Sequence, residues 1–320
     1  MNQITGTFEY RNLGKSTLKV SSIGMGCVTF GREIDKPTSV QVLDHALERG
    51  INLFDTAAAY ADGESERVVG QWIADRGVRD DIILATKVNG TLTKQAIIKS
   101  AEESLVRLQV DHIDLFQLHH WDVETPLEEM LEGLDALIKS GKIRCIGCSN
   151  WEADQLAQSL QHCEESGLHQ IQSVQPPYNL VQREIESELL PLCDDQELGV
   201  LTYSPLAAGF LAGKYRRGDP VPQGTRFDIQ PGHQPIYFTD LGFAVLERVE
   251  RVAEQSGRTM VQIALAWALT RPLVTSVLIG ARNTNQVNQA FDAVAAGIDP
   301  QLCRELDSFR FKNTDGKHPG

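Results

Sequence analysis

Four polar residues at the ends of apolar runs carry the chemistry that this sequence first suggests. Asp55, Lys87 and His119 each close a short apolar run, and Tyr60 follows Asp55 by five positions. A phenol with a pKa of about 10 is a weak acid at neutral pH, so it needs a nearby cation to stabilise the phenolate. Lys87 supplies that charge, Asp55 can pair with Lys87, and His119 can orient a carbonyl oxygen or share in proton transfer. These residue types therefore suit the reduction of an aldehyde or a ketone.

The hydride for such a reduction must come from a nicotinamide cofactor, because no amino-acid side chain donates hydride. Residues 24–26 are too short a match to the glycine-rich Rossmann fingerprint, and their continuation differs from it. Arg282 follows the last apolar run and precedes a helix start of the form Asn283-x-x-Gln286. A guanidinium beside a helix amino terminus is an anion site suited to the 2′-phosphate of NADP. We therefore predict NADPH as the cofactor, with NADH as the alternative.

Apolar runs of strand length recur along the chain and are separated by amphipathic stretches of helix length. The eight runs are residues 21–26, 51–55, 82–87, 113–119, 143–149, 171–175, 199–204 and 275–280. Strand and helix alternating eight times predicts an α/β fold in which a parallel sheet closes into a (β/α)8 TIM barrel. The active site of such a barrel lies at the carboxyl ends of its strands, where the polar residues above are found.

Helix starts and one long loop complete the predicted elements. Thr38, Thr125 and Thr259 each precede a glutamine or glutamate by three positions, which predicts a capping box at each. Residues 205–240 are rich in Gly, Pro and Arg and show no clear period. A loop of this length inside a compact domain is either a functional lid or disordered. We predict a lid, because the segment follows the seventh strand on the catalytic side.

Motifs in a consistent order along nearly the whole chain resemble those of the aldo-keto reductases, in particular the bacterial branch of about this length. These stretches are FEYRNLGKSTLKVSSIGMG, FDTAAAY, LATK, DLFQLH, IGCSNW, YSPLAAGFLAGKY and LIGARNTNQV. The resemblance implies that residues 8–20 form a hairpin closing the bottom of the barrel and that residues 205–240 cover the cofactor. It also implies the division of labour described above for Asp55, Tyr60, Lys87 and His119.

The same resemblance places an extended cofactor across the mouth of the barrel. It assigns Ser149, Asn150 and Gln175 to the carboxamide and Tyr203 to stacking on the nicotinamide ring. It assigns Ser204, Leu206, Gly209 and Lys214 to the pyrophosphate, and the predicted cofactor-binding set is completed by Gly280, Arg282 and Gln286. The family often has Glu then Asn at the positions of Gln289 and Ala290, so the adenine contacts are predicted to differ here.

The substrate side of the predicted site is less specified. Phe30, Trp121 and Trp151 each follow a strand end and are predicted to wall an apolar pocket for a small carbonyl substrate, with core packing as the alternative. Residues 311–320 form a short polar tail, which favours an open and tolerant pocket. Nothing in the sequence names the substrate or the direction of the reaction.

Two other functions remain open at this point. His112, Asp114, His119, His120 and Asp122 lie close together and would suit a metal-dependent hydrolase on the same barrel. Side chains alternate along a strand, so His119 and His120 both reach the site only if the strand has already ended. The spacing from Asp114 matches the family for His119. The other alternative is a cofactor-sensing regulatory protein like the β subunits of potassium channels, which resemble this family.

Composition narrows the class of protein further. The 320 residues are 42% hydrophobic and carry a net charge of −13, which argues against nucleic acid as a partner and is compatible with one domain over residues 1–320. Charged residues interrupt the amino terminus and no later stretch is long and apolar enough for a membrane span, so we expect a cytoplasmic protein. The six cysteines, including the pair Cys145 and Cys148 inside one predicted strand, are expected to be reduced and structural. Oligomeric state is left open.

Overall fold

Ten strands and twelve α-helices form the structure, a computed structural model that describes residues 7–88 and 90–308 of the chain. The strands are β1 (Tyr10–Asn12), β2 (Lys19–Ser21), β3 (Ile23–Gly26), β4 (Leu53–Asp55), β5 (Ile83–Val88), β6 (Ile113–Leu118), β7 (Ile143–Ser149), β8 (Ser173–Gln175), β9 (Gly199–Tyr203) and β10 (Ser276–Gly280). The helices are α1 (Lys36–Glu48), α2 (Glu64–Arg76), α3 (Lys94–Leu108), α4 (Leu127–Lys139), α5 (Ala153–Ser166), α6 (Leu189–Asp195), α7 (Arg226–Ile229), α8 (Gln234–Tyr237), α9 (Asp240–Ser256), α10 (Met260–Leu269), α11 (Thr284–Ala296) and α12 (Pro300–Asp307).

Strands β3 to β10 form a closed barrel in which every neighbouring pair is parallel. The sheet closes at β10, where Val277 pairs with Ile23 of β3 and Ser276 pairs with Leu201 of β9. Each of the eight predicted runs corresponds to one barrel strand, and no boundary differs from the prediction by more than two residues. The predicted (β/α)8 TIM barrel is therefore confirmed.

The predicted amino-terminal hairpin is also present. Strands β1 and β2 pair antiparallel, and the turn between them carries Leu13 and Leu18 into a cluster of buried side chains from inside the barrel. Gly14 in this turn has a φ of +59°, and a Cβ atom there would lie 2.3 Å from the carbonyl oxygen of Gln172. Only glycine permits both the positive φ and this close approach. The hairpin therefore packs tightly on the barrel.

Side chains alternate along each barrel strand between the interior and the core beneath the helices. Leu53 and Leu115 belong to the interior cluster, whereas their neighbours Phe54 and Phe116 belong to the larger core cluster. Residues two positions further along a strand face the interior again. In β4, β5 and β6 these residues are Asp55, Lys87 and Gln117, all of them buried. A polar layer therefore lies on top of an apolar one, toward the carboxyl ends of the strands.

Only one of the three predicted capping boxes is present. Thr259 precedes α10 and exchanges both hydrogen bonds with the glutamine three residues later, as predicted. The box at Thr38 is wrong, because α1 begins earlier and the Asp35 side chain accepts from the Thr38 backbone N–H. The box at Thr125 is also wrong, because its hydroxyl donates to Asp122 at 2.6 Å. In both cases an aspartate carboxylate, Asp35 or Asp122, accepts a hydrogen bond from the threonine, and the threonine does not cap the helix.

Candidate active site

A cavity of about 830 Å³ opens at the carboxyl ends of the barrel strands. Six strands contribute their last residue to its wall, and these residues are Gly26, Asp55, Ser149, Gln175, Tyr203 and Gly280. Barrel enzymes carry their active sites at this end. Three of the four predicted catalytic residues, Asp55, Tyr60 and His119, line the cavity directly, and Lys87 lies buried behind them.

Every ammonium N–H of Lys87 has an acceptor. Its Nζ lies 2.5 Å from Asp55 Oδ2, 2.9 Å from the Thr56 carbonyl oxygen and 3.2 Å from the Tyr60 hydroxyl oxygen. An ammonium group has three donors, so this set uses all of them. The side chain of Lys87 is completely buried, and a buried cation is tolerated only when it is paired and hydrogen-bonded. The network meets both conditions.

Asp55 is held from its other side by two glutamine amides. Its Oδ1 accepts from Gln175 Nε2 at 2.9 Å and from Gln117 Nε2 at 3.2 Å. These bonds leave the carboxylate little freedom to turn away from Lys87. Gln117 is absent from the predicted site residues, although a polar side chain inside the apolar run 113–119 signals an inward-facing role.

Lys87 and Tyr60 keep the ionisation states that proton donation requires. Burial alone would lower the pKa of Lys87, but the charge of Asp55 and the Tyr60 oxygen outweigh it and hold that pKa above its ordinary value. Burial raises the pKa of Tyr60, and the Lys87 ammonium offsets only part of this rise. Lys87 is therefore a cation and Tyr60 a neutral phenol at neutral pH. Since the Tyr60 oxygen accepts from Lys87, its own O–H is left to donate.

His119 stands beside Tyr60 as a neutral imidazole. The two ring centroids are 5.8 Å apart and the rings meet edge-on at 77°. Burial, together with the charge of Lys87 and the nearby His120, lowers the pKa of His119 to about 3. Its Nδ1 is buried and has no hydrogen-bond partner among the described residues. A buried N–H without a partner is rarer than an acceptor without one, so we assign the ring proton to Nε2, the nitrogen left to contact a carbonyl oxygen.

Both histidines that follow β6 line the cavity. Their rings are stacked, with centroids 4.7 Å apart and planes within 9° of parallel. The predicted strand included residue 119, which would have sent the two side chains to opposite faces. The strand instead ends at Leu118, so the alternation stops before His119 and His120. His119 is the one in ring contact with Tyr60, in agreement with the spacing argument.

The residues predicted to bind the cofactor surround this same cavity. Its lining includes Ser149, Asn150, Gln175, Tyr203, Ser204, Leu206, Gly209, Lys214, Gly280, Arg282 and Gln286. Asn150 links two of the others, because its Oδ1 accepts from the Tyr203 hydroxyl at 2.7 Å and its Nδ2 lies 3.1 Å from Ser149 Oγ. Gln289 also lines the cavity, whereas Ala290 is fully buried in the core. The individual contacts with a cofactor stay predictions.

Positive charge is concentrated on part of the cavity wall. Lys214, Arg32, Arg226 and Arg282 all line it. Glu33 is paired with two of them, since Arg32 donates two hydrogen bonds of 2.7 Å to its carboxylate and Arg226 donates another. The Arg282 guanidinium has no hydrogen-bond or ion-pair partner within residues 7–88 and 90–308. This excess of positive charge suits a phosphorylated ligand.

The segment 205–240 brings part of that charge to the cavity. It folds as short helical turns, including α7 and α8, around a cluster of aromatic rings: Phe210, Tyr215, Phe227, Tyr237 and Phe238. The segment is therefore ordered by its own apolar contacts. Turns of four to six residues are too short to show a helical period in the sequence. Arg226 was for that reason not predicted as a site residue.

The three residues predicted to wall the substrate pocket do not line the cavity. Phe30 is completely buried in the core, and Trp151 is only 2% exposed. Trp121 packs edge-on against Trp151 with ring centroids 4.8 Å apart. An apolar wall built from these rings stays a prediction. The predicted open pocket rests on residues 311–320, which lie outside the described part of the chain.

The cysteines, a possible metal site and possible membrane spans were the other candidates in the sequence. The six cysteines are all buried and unpaired, and burial raises the pKa of Cys145 to about 12. Within the described residues, no group of three or more His, Cys, Asp or Glu side chains could hold a metal ion. None of the helices described for residues 7–88 and 90–308 is long and apolar enough to cross a membrane.

Comparison with known proteins identifies the family of this chain. A family model described as "Aldo/keto reductase family" matches residues 22–310. The chain belongs to the aldo-keto reductase family. It is 33% identical to the "uncharacterized oxidoreductase YrpG" of Bacillus subtilis, over 97% of this chain and 98% of that protein. It is 34% identical to "aldo-keto reductase YhdN" of the same organism, over 87% and 86% of the two chains. A "probable voltage-gated potassium channel subunit beta" of Arabidopsis thaliana is also 34% identical, over 89% and 91%.

Membership of the aldo-keto reductases implies a nicotinamide cofactor, and the cavity of this chain is suited to one. It has room for a large ligand, a cationic region for phosphates and a neutral polar region around Ser149 and Asn150 for a carboxamide. Arg282 lies just before α11, and Asn283, Asn285 and Gln286 at the start of that helix line the same cavity. The described residues thus fit both the charged and the uncharged parts of such a cofactor.

Proposed function

We propose that this aldo-keto reductase is an NADPH-dependent enzyme that reduces aldehydes or ketones to alcohols, with Tyr60 as the proton donor. The observation that carries the proposal is the set of bonds around Lys87. All three Lys87 donors are used, and the Tyr60 oxygen is one of their acceptors, so the phenolic proton is left for a substrate. The proposal includes one domain, with residues 205–240 covering the cofactor, and a cytoplasmic location.

The chain's own residues can carry out the proton half of the reaction. A carbonyl oxygen between Tyr60 and His119 would accept hydrogen bonds from the phenol and from the neutral imidazole. As negative charge develops on that oxygen, Tyr60 donates its proton and the buried Lys87 ammonium stabilises the phenolate. Asp55 keeps the ammonium in place, and Gln117 and Gln175 keep Asp55 in place. A bound nicotinamide supplies the hydride.

We propose NADPH over NADH because the Arg282 guanidinium has no partner in the part of the chain that the structure describes. Arg226 and Arg32 lie close to it, since burial and then the charges of Arg32 and Arg282 lower the pKa of Arg226. One carboxylate, Glu33, neutralises only part of this group of cations. The 2′-phosphate of NADPH would supply the missing negative charge, whereas NADH has only a hydroxyl there.

The proposal is tested by following NADPH oxidation with a panel of sugars, short aldehydes, ketones and aromatic aldehydes. We expect substrate-dependent oxidation, with one alcohol formed per NADPH consumed. Fluorescence titration of NADPH on the same preparation shows whether the cofactor binds. Tight cofactor binding without oxidation across the whole panel would contradict the proposed activity.

A second function deserves a test because potassium channel β subunits are among the similar proteins. In this alternative the chain binds the cofactor and reports its redox state to a partner. It predicts negligible turnover, together with a different affinity for NADPH and NADP⁺ that changes binding to a membrane protein. Steady turnover with any small carbonyl would favour the reductase.

A further inference from the structure

His119 is a proposed catalytic side chain, and no hydrogen bond within residues 7–88 and 90–308 holds its ring. Its buried Nδ1 has no partner among the described residues, and its Nε2 is the nitrogen assigned to the substrate. Only the backbone of this residue is anchored: its N–H donates to the Val88 carbonyl oxygen at 3.1 Å, and its own carbonyl oxygen accepts from Asn150 Nδ2 at 2.9 Å. The orientation of the imidazole must therefore come from packing.

Two rings supply that packing. Tyr60 meets His119 edge-on, and His120 covers its face with nearly parallel planes. Tyr60 must keep its hydroxyl at Lys87, so it cannot follow a rotation of His119. His120 makes the closer contact, with centroids 4.7 Å apart against 5.8 Å for Tyr60. A stacked ring restricts the tilt of its neighbour through contact area rather than through a directional bond.

The His120 ring lies beside the Asn150 amide. The amide Nδ2 of Asn150 lies 3.4 Å from His120 Nδ1, at the long limit of a hydrogen bond. The orientation of this amide is fixed, because its Oδ1 accepts from the Tyr203 hydroxyl and its Nδ2 donates to the His119 carbonyl oxygen. Both amide hydrogens of Asn150 have nearer acceptors, the His119 carbonyl oxygen at 2.9 Å and Ser149 Oγ at 3.1 Å, so its contact with His120 is one of packing. One amide thus holds the backbone of His119 and lies against the ring of His120.

From this arrangement we propose that His120 is a positioning residue for the proposed reduction, which sets the angle of the catalytic His119 imidazole by stacking on its face. The inference rests on the proposed function of the same site. It separates two roles that adjacent histidines could otherwise share: His119 contacts the substrate oxygen, and His120 acts through His119. What His120 contributes is then an aromatic ring, and its nitrogen atoms are secondary.

The test uses a ring-preserving and a ring-removing variant. We expect His120→Ala to lower kcat by about 10- to 100-fold, since small misplacements of a catalytic group cost up to that much. His120→Phe should restore kcat to within about threefold of wild type, because it keeps the stacked ring. The NADPH Kd should be unchanged in both. His162→Ala, at a histidine on α5 outside the cavity, is the matched control and should resemble wild type.

A double-mutant cycle decides whether His120 acts through His119. In a His119→Ala background, His120→Ala should have no further effect on kcat. Full additivity of the two losses, or a Phe variant as slow as the Ala variant, would overturn the proposal in favour of direct substrate contact by His120. Equal activity of His120→Ala and wild type would also overturn it.

An activity-independent measurement keeps this inference separate from the proposed function. With isotope-labelled histidine, the His119 ring should give one sharp NMR signal in wild type and in His120→Phe, and a broadened or split signal in His120→Ala. If wild type reduces no carbonyl, the proposed reductase activity fails, yet these spectra still decide whether His120 orders the ring. An unchanged His119 signal in His120→Ala would overturn the positioning role.

Discussion

Tyr60 has a proton free to donate because its neighbour Lys87 donates a hydrogen bond to the phenolic oxygen. Because Lys87 has only donors, its contact with the Tyr60 oxygen forces the phenolic hydrogen to point elsewhere. Burial raises the pKa of Tyr60 and so keeps it protonated, and the same burial leaves the Lys87 charge little screened; in the proposed reduction the proton passes to the developing alkoxide. The sequence predicted that the four residues lie together, because their types and their places at strand ends suggest it, but the directions of these hydrogen bonds come from the structure.

The low pKa of His119 predicts a pH dependence of stability. The folded-state pKa of about 3 lies below the ordinary value of about 6.5, so the unfolded chain binds more protons between these limits. This contribution to the free energy of unfolding is complete above pH 6.5 and is lost as the pH falls toward 3. At pH 4 the loss reaches up to about 3 kcal/mol. Urea unfolding at pH 7 and pH 4 should show a smaller loss for His119→Gln than for wild type. Identical losses would mean that the fold does not lower the pKa of His119.

Arg282 carries the prediction for cofactor choice. Its guanidinium can make charge-assisted hydrogen bonds to a 2′-phosphate, each contributing about 1.5–3 kcal/mol. Arg282→Ala should therefore weaken NADPH binding by one to a few powers of ten, at about 1.4 kcal/mol per tenfold, and leave NADH binding almost unchanged. Fluorescence titration measures both constants, and Arg304→Ala at an exposed arginine of α12 is the control. Equal losses for the two cofactors would remove Arg282 from the 2′-phosphate site.

At the scale of elements, the sequence predicted the strands that show as apolar runs, and it did not predict the end of β6 or the short turns of residues 205–240, which have no regular pattern. The eight barrel strands are visible as apolar runs because they are buried on both faces. The stacking of His119 on His120 depended on a strand ending one residue earlier than predicted, a difference that apolar pattern does not resolve. Arg226 reaches the cavity through short turns ordered by aromatic contacts, which have no periodic signature.

The aromatic cluster of residues 205–240 predicts that this segment opens as a local unit. Phe210 is fully buried and contacts five other rings of the region, so Phe210→Ala leaves a cavity that should cost about 3–5 kcal/mol. Limited proteolysis should cleave this variant within residues 205–240 much faster than wild type, and saturating NADPH should slow the cleavage. Phe291→Ala, in α11, serves as the control. Cleavage spread evenly over the chain would indicate that the segment does not open separately.

At the scale of the whole molecule, charge is distributed unevenly between the chain and its cavity. The chain has a net charge of −13, yet Arg32, Arg226, Arg282 and Lys214 line one cavity. Composition argues against nucleic acid as a partner but could not reveal this local excess, because the four residues come from three distant parts of the sequence. Closure of the barrel is what brings them together.

This uneven distribution predicts how salt affects binding. NADPH carries the extra 2′-phosphate into the cationic region, so raising ionic strength should weaken its binding more than that of NADH. Titrations of both cofactors between 0.05 and 0.5 M salt, a roughly threefold change in Debye length, would measure how steeply the Kd of each cofactor depends on salt concentration. Parallel slopes would contradict a specific role for the cationic region in cofactor choice.

The central claim is that Tyr60 gives the proton in a carbonyl reduction, and single-turnover reduction by Tyr60→Phe tests it most directly. The variant keeps the ring that contacts His119 and removes only the hydroxyl. With NADPH and a good substrate bound, we predict that the rate of NADPH oxidation falls by at least about 10²-fold while the NADPH Kd stays within a factor of two. A rate near that of wild type, with the cofactor bound, would contradict the account.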